Sequence, residues 1–114
     1  MKKGIGVDII KISRFREKKY ADNRVFYQKI FSKKEIEYCL KHKDPYTHFA
    51  GKFAAKEAII KATGKKISLN QIVINNKTNG LEIIIEGIKK PDILISISHE
   101  KEYAISMSTF SSNI

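Results

Sequence analysis

Three charged residues stand where they can do chemistry together. Glu57 and Lys61 lie in the run His48-Phe49-Ala50-Gly51-Lys52-Phe53-Ala54-Ala55-Lys56-Glu57-Ala58-Ile59-Ile60-Lys61, so on a helix they share a face. An exposed pair of this kind is ordinarily a weak surface ion pair. At about 100° per residue, however, both fall beside Phe53, Ala50, Ala54 and Gly64, with Lys52, Lys56 and Thr63 on roughly the opposite side. The expected solvated stripe is therefore Lys52, Lys56 and Thr63, and Glu57 and Lys61 occupy the edge of the packed face. Charges placed there need partners, because a desolvated charge is costly alone. Asp8 is the candidate companion. In Gly4-Ile5-Gly6-Val7-Asp8-Ile9-Ile10, Ile5, Val7 and Ile9 point one way, and Asp8 shares a nearly bare face with Gly4 and Gly6. Strand glycines leave room for a ligand or for another backbone. Asp8 and Glu57 supply two hard oxygen ligands of the kind Mg²⁺ takes alongside waters and phosphate oxygens. Lys61, one turn beyond Glu57, can meet the same phosphates as a point charge.

Other chemistries find less support. Cys39 is the only cysteine, and His42, His48 and His99 lack zinc-ligand spacing. Ser96 and Ser98 alternate with Ile95 and Ile97, as the polar face of a strand does. No glycine loop of the phosphate-cradling type is present. Gly64-Lys65-Lys66 reads first as a helix C-cap with cations that suit the dipole, and second as a phosphate contact. Lys11, Arg14 and Lys18 form a basic stripe just after Asp8. It is either a solvated face or a docking strip for an acidic surface.

The elements that must position these residues are legible in outline. Gly4 to Ile10 reads as a strand, Ser13 to Tyr20 as a helix with Ser13 as a cap, and Arg24 to Ile30 as a second short helix. Ser32-Lys33-Lys34-Glu35 is a capping box that opens a helix ending near His42, with Cys39 in the core. The longest helix is expected from about Tyr46 to Thr63, closed by Gly64. Gln71 to Asn75 and Leu81 to Glu86 flank Asn76-Lys77-Thr78-Asn79-Gly80 as a hairpin, and Ile93 to Ser98 and Tyr103 to Thr109 form another. The tail after Phe110 reads as polar and frayed. Helices first and hairpins later make an α+β domain spanning residues 1–114.

Composition bounds the partners. The chain has 114 residues, 22 Lys+Arg against 12 Asp+Glu, and a formal net charge of +10. With 42% hydrophobic residues it supports one core and is not a disordered basic tail. Its apolar runs are strand-sized, so no membrane span is expected, and Met1-Lys2-Lys3-Gly4 does not open a signal peptide. A lone cysteine suits a reducing cytoplasm. The positive balance asks for an anionic partner: a nucleic acid, a nucleotide-like cofactor or an acidic protein. No nucleic-acid-binding motif is evident.

Four segments, in order, resemble the holo-acyl-carrier-protein synthases, the small bacterial phosphopantetheinyl transferases. They are Gly4-Ile5-Gly6-Val7-Asp8-Ile9; Ile30-Phe31-Ser32-Lys33-Lys34-Glu35; Phe49-Ala50-Gly51-Lys52-Phe53-Ala54-Ala55-Lys56-Glu57-Ala58 with Lys61; and Ser96-Ile97-Ser98-His99 with Lys101-Glu102-Tyr103-Ala104. The resemblance implies a phosphopantetheinyl-transferase-like fold, with helices packed on an antiparallel sheet. It implies transfer of 4′-phosphopantetheine from coenzyme A to a serine of apo-acyl carrier protein, releasing 3′,5′-ADP, in cytoplasmic fatty acid biosynthesis. It further implies Mg²⁺ on Asp8 and Glu57, and Lys61 on the pyrophosphate. Lys52, Gly64 and His99 would hold the coenzyme, and Arg14, Lys18 and Arg24 the carrier protein. A homotrimer would share sites between neighbouring chains, with no nucleic acid and no membrane among the partners. Two positions depart from the pattern. Lys52 stands where the family usually has arginine, which keeps the charge but loses the planar fork. Gly80-Leu81-Glu82 stands where it usually has Gly-Lys-Pro.

Overall fold

A computed structural model describes residues 2–112. The elements run β1 (Lys2–Lys11), α1 (Ser13–Arg16), α2 (Arg24–Gln28), α3 (Lys33–Leu40), α4 (Pro45–Thr63), β2 (Ile72–Lys77), β3 (Gly80–Ile85), β4 (Ile88–Lys89), β5 (Ile93–His99) and β6 (Tyr103–Ser112). They form two three-stranded antiparallel sheets, ordered β1-β6-β5 and β2-β3-β4. The expected α+β class holds, with α4 between the sheets and packed on strands of both.

Helix α4 forms where the sequence places it. Asp44 caps it by accepting from the Tyr46 amide at 3.2 Å, Pro45 fills the first turn, and Gly64 closes it with φ +68°. The Ser32 capping box is present in full at the start of α3. One side of α4 packs Phe49, Ala50 and Ala54 against Phe15, Tyr27 and Phe31. Another packs Ala55 and Ile59 against Ile72, Ile74, Ile83 and Ile85 of the smaller sheet.

Several expectations fail, each for a physical reason. The helix after β1 stops at Arg16, and Ile12 rather than Ser13 stands at its N-cap, with no side-chain capping bond. Phe15 and Tyr27 draw the chain back early, and the Tyr27 hydroxyl reaches the carbonyls of Phe15 and Lys18 at 3.1 and 2.7 Å. The middle hairpin closes tightly, with Lys77 paired to Gly80. Ser111 and Ser112 are not frayed but lie in β6, opposite Lys3 and Lys2, while residues 113–114 lie outside the described range.

The structure also decides between the two readings of the β1 glycines. The bare face of β1 turns inward and its apolar face outward. A Cβ on Gly4 would overlap the Ala62 carbonyl oxygen, and one on Gly6 that of Ala58. The glycines thus admit the backbone of α4, not a ligand. Ile5, Val7 and Ile9 consequently face out, 52–68% exposed, beside Ile105 and Met107 of β6.

Candidate active site

The close approach of β1 to α4 builds the site. The two run in opposite directions: Gly4 meets Ala62, and Gly6 meets Ala58 and the Cβ of Lys61. Two residues further along β1, on the same face, stands Asp8. The strand has then moved back about one helical turn, towards the turn that carries Glu57. Lys61 closes the group by donating to the Val7 carbonyl at 3.0 Å and to Asp8 Oδ1 at 3.4 Å. Asp8 is half-buried, with 17% of its side chain exposed against 56% for Lys61. Glu57 is also half-buried, and neither hydrophobic cluster includes it. Carboxylates held at a rim, next to an exposed ammonium, suit a phosphorylated ligand.

The donor set is chemically specific. Among the described residues no group of three or more His, Cys, Asp or Glu side chains is arranged to hold a metal. Two carboxylates alone fit a Mg²⁺ ion that takes its remaining ligands from water and substrate phosphates. They do not fit zinc or a caged calcium.

The other expected ligand residues lie elsewhere. Gly64 sits in an open depression of about 590 Å³ with Lys61, Lys65 and Lys66. Lys52 and His99 line a separate cavity of about 210 Å³, together with His48, Asn76 and Tyr38. Lys52 and Lys61 are nine residues apart, which puts them about 13 Å apart along α4 and on opposite sides of it. One chain therefore brings Lys61 onto Asp8, sets Lys61 and Gly64 in one depression, and joins Lys52 with His99 in another cavity, but does not bring these groups onto one surface. Arg14, Lys18 and Arg24 are exposed around α1 and α2. The Lys18 ammonium lies 5.0 Å from the Phe26 ring and the Arg24 guanidinium 5.7 Å from that of Tyr20, so both are steered by aromatics.

Two lysines contradict the expected solvated stripe. Lys52 and Lys56 are buried, 4% and 0% exposed. Lys52 donates to the Ile74 carbonyl at 2.7 Å and to Asn76 Oδ1 at 2.8 Å. Lys56 pairs with Glu35 at 2.8 Å, with neither side chain exposed. Burial pulls both ammonium groups below the usual lysine range, against the opposing pull of Glu35. The signal was present in the alanines at 54, 55, 58 and 62, which leave α4 no fully polar face. Burial likewise pushes the Cys39 thiol up to about 12, so it is an inert core group. His48 is held below the usual histidine range by burial and by its neighbours His42 and His99.

Residues 4–108 match the family model described as 4′-phosphopantetheinyl transferase superfamily. The chain belongs to that superfamily. Among curated relatives of this transferase, the holo-[acyl-carrier-protein] synthase of Thermodesulfovibrio yellowstonii is 41% identical over 108 residues, covering 92% of this chain and 95% of the relative. That of Chlamydia caviae is 42% identical over 111 residues, covering 88% and 89%. The fold agrees. The Bacillus anthracis holo-(acyl-carrier-protein) synthase in complex with CoA (3′,5′-ADP) superposes with a TM-score of 0.79 at 30% identity, over 96% of each chain. The Helicobacter pylori enzyme in complex with coenzyme A gives 0.74 at 29% identity, over 94% of this chain and 99% of that one. Phosphopantetheinyl transferases therefore account for nearly the whole chain, and for each of the four segments singled out from the sequence.

Proposed function

We propose that this chain, acting as one domain, transfers 4′-phosphopantetheine from coenzyme A to a serine hydroxyl of apo-acyl carrier protein, yielding the holo-carrier and 3′,5′-ADP for fatty acid biosynthesis. The carrying observation is the convergence of Asp8 and Lys61 at 3.4 Å across fifty-three positions of sequence, beside the turn that holds Glu57. The serine oxygen forms a bond to the phosphorus that bears the pantetheine arm, and the bond to 3′,5′-ADP breaks. Such a transfer asks a protein chiefly for alignment and charge neutralisation. Asp8 and Glu57 would hold Mg²⁺, which supplies neutralisation of the pyrophosphate when bound. Lys61, exposed and tethered to the Val7 carbonyl, adds a fixed positive charge where the leaving phosphate collects its own. Lys52, Gly64 and His99 hold the rest of the coenzyme. Arg14, Lys18 and Arg24 meet the acidic carrier and speed encounter. No helix among the described residues is long and apolar enough to cross a membrane, which accords with a cytoplasmic enzyme.

The decisive assay incubates the protein with coenzyme A and apo-carrier, with and without Mg²⁺, and weighs the carrier. A gain of one phosphopantetheine, only with Mg²⁺, is expected. No gain, together with tight and salt-dependent DNA binding, would overturn the reading in favour of a nucleic-acid protein.

A homotrimer with shared sites belongs to the same proposal, and two observations support it. The face formed by Ile5, Val7, Ile9, Leu94, Ile105 and Met107 is apolar and exposed, from 40% at Ile105 to 68% at Ile5 and Leu94. A contiguous patch of this kind marks an interface. It also runs along β1, the strand that carries Asp8. A neighbouring copy there can bring its Lys52–His99 cavity towards the Asp8–Lys61 group, which one chain cannot do alone. Sedimentation should give a mass of three chains, and Val7→Glu should give monomers with little transfer. A monomeric wild type that is fully active would overturn the shared site.

A further inference from the structure

Helix α4 meets β1 through small residues, Ala62 against Gly4 and Ala58 against Gly6, while Ala55 and Ile59 share a cluster with Ile93, Ile95, Ile97 and Phe110 of β5 and β6. The contact with β1 packs closely, but its ridges are shallow, and apolar packing sets no bond direction against rotation of the helix about its axis. Directional bonds on its other side do that. The Lys56 ammonium donates to the Ile30 carbonyl at 2.6 Å, to Glu35 Oε1 at 2.8 Å and to the Leu69 carbonyl at 3.1 Å. Glu35 in turn accepts from the Ser32 amide on Oε1 and from the Ile74 amide on Oε2, each at 2.8 Å. All three ammonium hydrogens and both carboxylate oxygens are thus used, each towards a different segment of chain. Ile74 lies on β2, the outer strand of its sheet, and its carbonyl is held by Lys52 one turn earlier on α4.

A buried ion pair adds little stability over an apolar pair of the same volume. What this one adds is direction. Lys56 immediately precedes Glu57 and stands five residues before Lys61 on the same rigid helix. A rotation of α4 by about 20° would move side chains at a radius of about 5–6 Å by about 2 Å, enough to spoil an aligned site. We propose that the Glu35–Lys56 pair is a positioning device: it sets the rotation of α4, and hence the places of Glu57 and Lys61 opposite Asp8. The inference rests on the reading of Asp8 and Glu57 as metal ligands.

The test measures binding as well as turnover. Glu35→Asp keeps a charge opposite Lys56 but withdraws it by one methylene. The double variant Glu35→Gln/Lys56→Met removes both charges and so avoids stranding either one. Mn²⁺ binding to the folded full-length chain, with coenzyme A present, is followed by electron paramagnetic resonance below the melting transition. Each variant is expected to bind Mn²⁺ about tenfold more weakly, and to lose kcat more than it raises KM for coenzyme A. A pair that only braces the core would lower the melting temperature and leave Mn²⁺ affinity untouched in the folded chain, and that result overturns the proposal. Glu57→Gln separates the two ideas. If it abolishes Mn²⁺ binding while Glu35→Asp preserves it, the positioning role falls and the metal site stands. If both preserve it, the metal site falls as well.

Discussion

Glu57→Gln is expected to slow transfer by about a thousandfold, or roughly 4 kcal/mol of barrier, with the unfolding temperature nearly unchanged. The two halves of that statement rest on different observations. Glutamine has the length and the helix propensity of glutamate, and Glu57 is only half-buried, so the fold has little to lose. Its carboxylate is one of the two proposed Mg²⁺ ligands, so replacing it would halve the anionic ligand set and remove negative charge that Mg²⁺ needs. Carrier mass gain under single-turnover conditions reads the first half, and a thermal melt followed by circular dichroism reads the second. Wild-type transfer by the variant would remove Glu57 from the machinery.

Gly6→Ala should show the reverse pattern, with fold and activity failing together. The new Cβ would overlap the Ala58 carbonyl oxygen and come within 2.9 Å of the Lys61 Cβ, and a backbone carbonyl in mid-helix cannot swing aside. Overpacking costs about 1–3 kcal/mol, and a backbone clash belongs at the upper end. A loss of about 3 kcal/mol would lower the melting temperature by roughly 10–15 °C in a domain of this size. To relieve the clash, β1 must retreat from α4. That carries Asp8 and the Val7 carbonyl away from Lys61, so residual transfer measured well below the melt should fall too. A variant that melts and turns over like the wild type would mean that the strand and helix do not approach as described.

Some of this was legible in the residues alone. The bounds of α4 were readable because Asp44-Pro45 and Gly64 are local stop signals with a backbone rationale. The Ser32–Glu35 box and both hairpins were readable for the same reason. Asp8 and Lys61, which the structure joins at 3.4 Å, could be grouped because each was anomalous for its own element: an acid on an otherwise bare strand face, and a charge at the edge of an apolar one.

What the sequence could not decide is which neighbour each face would meet. The alternation in β1 separates Gly4, Gly6 and Asp8 from Ile5, Val7 and Ile9 but does not say which set turns inward. That follows from α4 lying close enough for its carbonyls to fill the space above the glycines. The helical wheel placed Lys52 and Lys56 together but assumed that one side of α4 meets water. Between two sheets, with α3 alongside, none fully does, and the two ammonium groups are buried on the Ile30, Leu69 and Ile74 backbone and on Glu35. Local propensity and spacing act over a few residues and are written into the chain. The burial of a charge depends on partners brought from thirteen to thirty-nine positions away, and only the packed structure supplies them.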